Sequence, residues 1–109
     1  MHFEEYQAKS RTTAKYPEIG ANFIYPALGL CGESGEVADK IKKIFRDQGG
    51  VVSEETRQLI AKELGDVLWY VAQLSTEFGF SLEEVAQGNL EKLQSRMKRD
   101  LISGNGDLR

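Results

Sequence analysis

The chain contains very few of the residues that build most catalytic and metal sites. Among its 109 residues are one cysteine, Cys31, and one histidine, His2. A lone cysteine cannot form an internal disulfide, as expected in a reducing compartment. A lone histidine near the terminus excludes a histidine-rich zinc site, the Glu-x-x-His site of di-iron bundles and a nucleophile activated by histidine. Any chemistry must therefore use other side chains.

Long hydrophobic runs and a positive net charge are also absent from the sequence. No apolar run approaches the roughly 18 residues that span a membrane, and no secretory leader is visible. The net charge is −3, whereas a protein that binds a nucleic-acid backbone needs a basic stripe. We therefore expect a cytoplasmic protein that binds neither membranes nor nucleic acids.

The two prolines and several glycines divide the chain into four predicted helices, and no alternating strand pattern competes with them. Pro17 ends the first helix and Pro26 opens the second. Ser53 is a candidate N-cap of the third helix, and Ser81 with Glu84 forms a capping box for the fourth. The helices are expected over about 3–14, 26–48, 54–78 and 82–101.

These helices are predicted to form one domain, since no linker, repeat or low-complexity tract divides the chain. The fold class is all-α, a four-helix-bundle-like domain over residues 1–109. Its ordered core is expected over about 3–101, with a frayed tail over 102–109. The third helix has the cleanest apolar stripe, formed by Ile60, Leu64, Val67, Leu68, Val71, Leu74 and Phe78.

Two of the predicted helices carry acidic pairs beside their apolar faces. Glu33 borders the face of the second helix and Glu36 lies about 60° further round, and Glu63 with Asp66 repeats this arrangement on the third. Antiparallel packing of the two helices can bring the four carboxylates to one edge, where they repel one another unless a hard cation joins them. Oxygen ligands suit Mg²⁺, with Mn²⁺ as an alternative. Each pair alone is more often a solvated face, but the matching positions favour a metal site.

The fourth predicted helix carries a polar stripe of Asn89, Lys92 and Arg96 at spacings of three and four. The lysine and arginine can bind phosphate oxygens, and Asn89 can bind a phosphate, sugar or base. The alternative is a solvated face whose charges pair with neighbouring acids. Tyr70 lies one turn beyond Asp66, where it either touches a substrate or is a boundary tyrosine.

Glycines are unusually frequent in the first half of the second helix. Gly29, Gly32 and Gly35 lie there although an interior glycine destabilises a helix by about 1 kcal/mol relative to alanine. Gly65 leaves a similar gap on the third helix. Our hypothesis is that these gaps admit a neighbouring helix, or substrate and hydrated metal, close to the backbone.

Three segments, in this order, resemble the MazG-like nucleoside triphosphate pyrophosphohydrolases of the all-α NTP pyrophosphatase superfamily. They read YPALGLCGESGEVADKIKK, KELGDVLWYVAQL and SLEEVAQGNLEKLQSR, and the resemblance covers about Tyr6 to Arg96. It implies Mg²⁺-dependent hydrolysis of a (deoxy)nucleoside triphosphate at the α-β phosphate bond, giving nucleoside monophosphate and pyrophosphate, with a role in nucleotide-pool house-cleaning. Many members carry two adjacent glutamates at the start of the first motif, whereas Gly32 takes the first place here.

Carried over to matching positions, the resemblance implies roles for eight residues. The catalytic metal ligands would be Glu33, Glu36, Glu63 and Asp66, and the substrate contacts would be Asn89, Lys92, Arg96 and Tyr70. It also implies a homodimer or a dimer of dimers, with sites formed partly across subunits. Two alternatives stay open: a phosphoribosyl-ATP pyrophosphatase, which shares the bundle and the acids, and a non-catalytic helical module that binds nucleotide or metal.

Overall fold

The computed structural model describes residues 1–103 and consists of four helices joined by turns and short loops. The helices are α1 (Phe3–Arg11), α2 (Ile24–Asp47), α3 (Glu54–Glu77) and α4 (Leu82–Ser103). No strand occurs in this described range, so the predicted all-α fold is confirmed. The fourth helix runs to Ser103, slightly past its predicted end, and the rest of the predicted tail, residues 104–109, lies outside the described residues.

The helix starts follow local chemistry closely. Ser53 caps α3, because its hydroxyl accepts a hydrogen bond from the Thr56 backbone N–H at 3.1 Å. Ser81 accepts one from the Glu84 N–H at 3.3 Å, which is one half of the predicted capping box. Pro26 is the third residue of α2 and not its first. Its missing N–H is harmless there, since the first four N–H groups of a helix have no partner within it.

The first helix ends at Arg11, three residues earlier than predicted. The two threonines that follow it explain this end. Thr12 and Thr13 donate their hydroxyls to the carbonyl oxygens of Lys9 and Ser10, at 2.7 and 2.6 Å. Such local side-chain bonds compete with continued helix, so the chain turns here.

The helices α2 and α3 pack along their length as an antiparallel pair, joined by a turn in which Gly49 and Gly50 adopt φ values of 62° and 81°. The helices α1 and α4 also contact α3, and they contact each other. Within the described residues α4 does not pack on α2. The α2–α3 pair is therefore the frame that positions the acidic side chains.

Apolar side chains on α2, α3 and α4 are only partly covered within the chain, and Leu64 and Phe78 of the predicted α3 stripe are 53 % and 52 % exposed. Leu90, Leu93 and Met97 on α4 are 50 %, 45 % and 62 % exposed, and Phe45 on α2 is 73 % exposed. The Cα radius of gyration is 17.4 Å, whereas a compact chain of this length has about 13 Å. In the described part of the chain, no helix has the combination of length and apolarity needed to cross a membrane.

One buried carboxylate fastens the segment between α1 and α2 to the end of α3. Glu77 accepts hydrogen bonds from Arg11 at 2.9 Å, from Tyr16 at 2.5 Å, and from the backbone N–H groups of Gly20 and Asn22 at 2.9 and 2.8 Å. Burial alone disfavours the charged form, but these donors outweigh it and lower the pKa of Glu77 to about 2. We call these five residues the Glu77 clamp.

Candidate active site

Three of the predicted acids meet where α2 and α3 run side by side. Glu33 on α2 and Glu63 and Asp66 on α3 each place one carboxylate oxygen within 4.8 Å of the others. We call these three residues the acidic cluster. Glu33 and Glu63 are half-buried and Asp66 is exposed, so the cluster opens to solvent on one side.

The pKa of Glu33, one member of the cluster, reflects burial and charge crowding. Burial raises the pKa of Glu33 above its usual value, and a hydrogen bond with Glu63 and the negative charges of Asp66, Glu63 and Glu36 raise it further. A divalent cation would relieve this repulsion. Carboxylate oxygens this close together fit the donor set that Mg²⁺ takes at about 2.0–2.1 Å, with its remaining positions free for water or phosphate.

The fourth predicted acid, Glu36, lies outside the acidic cluster. It is exposed and sits three residues beyond Glu33 on α2, close enough for its charge to act on Glu33. The structure thus brings three of the four acids together and leaves Glu36 beside them. Its carboxylate is free to face solvent or a bound ligand.

Lysines on α2 supply counter-charges near these acids. Lys40 reaches across to α3, and its Nζ lies 3.5 Å from a carboxylate oxygen of Glu63. Both side chains are largely buried, with 23 % and 18 % of their surfaces exposed. Lys43 pairs instead with Asp39 of its own helix at 2.8 Å. Of the two, Lys40 is therefore the cation that belongs to the site.

Tyr70 forms one edge of the site. It lies one helical turn from Asp66 and is half-buried, and its ring meets that of Trp69 edge to face with centroids 5.0 Å apart. Burial raises the pKa of its hydroxyl, and Tyr25 and Glu33 raise it further, so this hydroxyl lies near both the start of α2 and the acidic cluster.

The predicted substrate contacts of α4 do not join the acidic cluster within one chain. Asn89 and Lys92 are exposed, and Arg96 is half-buried. In the described residues no hydrogen bond or ion pair links these three to the cluster, and α4 does not pack on α2. The Nε atom of Arg96 is buried and has no hydrogen-bond partner among the described residues.

A protein-family model matches the part of the chain that contains these elements. The model of the MazG nucleotide pyrophosphohydrolase domain matches residues 26–100, which contain the acidic cluster, Glu36 and the polar stripe of α4. The chain belongs to the MazG family. The family resemblance noted from the sequence is confirmed, and a family of nucleotide pyrophosphohydrolases is the context in which the site is interpreted.

Two relatives of the MazG domain are similar over most of their length. The Gene 37 protein of Mycobacterium phage L5 is 47 % identical, and the alignment covers 100 % of both chains. The uncharacterized protein YvdC of Bacillus subtilis (strain 168) is 31 % identical over 87 % of this chain and 89 % of its own. No solved structure matches the chain.

Sequence reasoning did not specify two features of this MazG domain. Lys40 lies seven residues after Glu33 on the same side of α2, but the sequence left it as either a phosphate contact or a counter-charge, and the structure pairs it with Glu63. The Glu77 clamp was not predicted, because its donors lie in a loop whose path no periodicity encodes. From the sequence alone, Glu77 is only a charged residue near the end of the third helix.

Proposed function

We propose that this protein hydrolyses a (deoxy)nucleoside triphosphate at the α-β phosphate bond, releasing nucleoside monophosphate and pyrophosphate in a Mg²⁺-dependent reaction. Membership of the MazG family supports the reaction class. The observation that carries the proposal is the acidic cluster, because three carboxylates from two helices converge at an edge open to solvent. A purely structural bundle gains nothing from such repulsion.

The cation would be held by Glu33, Glu63 and Asp66, and Glu36 lies close enough to join them. When bound, it would neutralise charge on the phosphate oxygens, which is the main demand of phosphoryl transfer. Lys40 would hold the carboxylate of Glu63 in place at the site, since the two side chains are paired across the helices.

Glu36 is the proposed group that orients the attacking water and accepts its proton. The first motif has Gly32 where many members carry a glutamate, so Glu33 and Glu36 are the two acids of that motif left to orient the water if a separate base is used. Glu36 suits this role because it lies outside the close group of three and is exposed beside it. The water oxygen then forms a bond to one of the two phosphorus atoms, α or β. The bond from that phosphorus to the α-β bridging oxygen breaks, and the bridging oxygen leaves with the other product.

We also propose that the protein works as a homodimer or a dimer of dimers. Two observations support this assembly. Apolar residues of α2 and α4 are exposed to solvent, and the radius of gyration exceeds that of a compact chain of this length. In such an assembly, Asn89, Lys92 and Arg96 of one copy would face the acidic cluster of another. The positive side chains would bind the triphosphate, and Asn89 the sugar or base.

The proposed reaction is tested by incubating the purified protein and Mg²⁺ with each canonical nucleoside triphosphate, a few modified ones and phosphoribosyl-ATP, and by separating pyrophosphate from orthophosphate. We expect pyrophosphate and monophosphate from at least one nucleoside triphosphate, and none from Asp66→Asn. Turnover of phosphoribosyl-ATP alone would replace the proposed substrate. Binding of Mg²⁺ without turnover of any compound would contradict an enzymatic function.

A further inference from the structure

Gly29 is the one glycine of α2 whose missing side chain is filled by another residue. A Cβ built at Gly29 would lie 2.2, 2.4 and 2.6 Å from ring carbons of Tyr70. At Gly32 and Gly35 no atom of the described chain lies within 4 Å of such a Cβ. The hypothesis of close approach therefore applies within the chain to Gly29, and the neighbour is a tyrosine ring against the backbone of α2.

The helix register links this contact to the acidic cluster. Gly29 precedes Glu33 by one helical turn on α2, and Tyr70 follows Asp66 by one turn on α3. Because the two helices are antiparallel, the Gly29–Tyr70 contact is the next layer of the same seam. The ring consequently lies one layer from the acidic cluster, close enough for the charges of Glu33 and Asp66 to act on its hydroxyl.

We propose that Gly29 is a positioning residue of the active site, which sets the ring of Tyr70 beside the acidic cluster as a wall of the nucleotide site. An alanine would force the ring off the α2 backbone, because ring carbons are the atoms that its Cβ would meet. A tyrosine side chain can change rotamer, so the expected response is a displaced ring, and the melting temperature measures whether the fold is kept. This inference rests on the proposed function for its kinetic consequence, but the contact itself is independent of it.

The test compares Gly29→Ala, Tyr70→Leu and the double variant with the wild-type protein. Gly35→Ala is the matched control for the Trp69 fluorescence, because it adds the same methyl group to α2 where no atom of the described chain lies within 4 Å. Two readouts are collected. One is kcat and KM for the best nucleoside triphosphate, and the other is the fluorescence of Trp69, the single tryptophan, which lies 5.0 Å from the Tyr70 ring.

We expect Gly29→Ala to lower kcat/KM by about tenfold to a hundredfold, because small misplacements in a site have effects of this size. Tyr70→Leu should have a similar effect, and Gly29→Ala should add almost nothing in the Tyr70→Leu background, where the ring is gone. Trp69 fluorescence should shift in Gly29→Ala and not in Gly35→Ala. Melting temperatures measured alongside should stay close to that of the wild type.

Additive losses in the double variant would overturn the inference, as would an unchanged Trp69 spectrum in Gly29→Ala. Full activity of Gly29→Ala would also overturn it. If the wild-type protein hydrolyses no nucleotide, the proposed function fails, and the fluorescence of the same four variants still decides whether Gly29 positions Tyr70. The two failures are therefore distinguishable.

Discussion

At the scale of single residues, the acidic cluster is a set of like charges with one nearby counter-charge. Lys40 pairs with Glu63, but no ion pair within the described residues neutralises Glu33 or Asp66. Burial raises the pKa of Glu33, and these neighbouring negative charges raise it further. In the folded protein without metal, the carboxylates therefore repel one another and lower the stability of the fold. Such a loss of stability is common at functional sites.

Asp66→Asn should stabilise the protein when no metal is present. The change removes one negative charge next to Glu33 and leaves the Lys40–Glu63 pair intact. We expect a gain of about 0.5 kcal/mol in the free energy of unfolding, equivalent to a rise of about 3 °C in Tm. The measurement is thermal unfolding by circular dichroism in EDTA.

Glu63→Gln is the matched comparison for that measurement. It removes a charge from the cluster but also leaves Lys40 without its partner, so little or no gain in Tm is expected. If Asp66→Asn instead melts well below the wild type in EDTA, Asp66 has a structural role and the repulsion argument is wrong. Added Mg²⁺ should raise the Tm of the wild type and have a smaller effect on Asp66→Asn.

At the scale of helices and loops, the Glu77 clamp determines where α2 starts relative to α3. The clamp holds two backbone N–H groups of the loop, and Gln73, fully buried one turn earlier, accepts a hydrogen bond from Arg11 at 3.2 Å and donates one to Ser10 at 2.9 Å. Tyr16 in turn stacks on Tyr25 at 4.9 Å. The loop thus connects the clamp to the tyrosines near the active site.

Glu77→Gln should destabilise the fold and flatten its response to acid. The folded pKa of Glu77, about 2, lies below the ordinary value of 4.5, so its stabilisation is present above pH 4.5 and is lost as pH falls toward 2. Replacing the charge should lower the free energy of unfolding by about 2 kcal/mol at neutral pH. Denaturant unfolding at pH 7 and pH 3 measures both effects.

The wild type should lose stability between pH 7 and pH 3 by more than Glu77→Gln does. Glu54→Gln provides the control, because Glu54 lies in the exposed first turn of α3 and its ion pair with Arg57 is exposed. An identical pH response in the wild type and Glu77→Gln would show that the clamp does not retain its charge in the folded protein.

The helices and the pairing of α2 with α3 were largely predictable from the sequence, whereas several individual contacts were not. Caps such as Ser53 act within a few residues, so their residue types alone locate the start of a helix. The meeting of Glu33 with Asp66 followed from matching positions on two adjacent helices. In contrast, the contact of Gly29 with Tyr70 and the donors of Glu77 depend on rotamers and on a loop path that no helical periodicity specifies.

At the scale of the whole molecule, the chain keeps two parts of the proposed site separate. The acidic cluster lies between α2 and α3, while Lys92 and Arg96 lie on α4, which contacts α3 and α1 but not α2 in the described residues. A sequence gives the polar and apolar faces of α4 but does not say which copy of the chain meets them. The proposed dimer joins both parts and also covers the exposed apolar faces.

Mixing two inactive variants tests this arrangement. Asp66→Asn lacks a metal ligand and the Lys92→Ala/Arg96→Ala double variant lacks phosphate contacts, so each is expected to be inactive alone. If sites form across subunits, a mixed dimer has one intact site, and equal mixing after subunit exchange should restore about a quarter of the wild-type activity. Light scattering should find dimers or tetramers. No recovery in a sample shown to contain mixed dimers would place each site within one chain.

The most direct test of the central claim is the rate of pyrophosphate release from the best nucleoside triphosphate as a function of free Mg²⁺. The acidic cluster predicts no release in EDTA, full recovery when Mg²⁺ is restored, and less than about one hundredth of the wild-type rate for Asp66→Asn at saturating Mg²⁺. Release that persists in EDTA, or an Asp66→Asn variant as active as the wild type, would contradict the account.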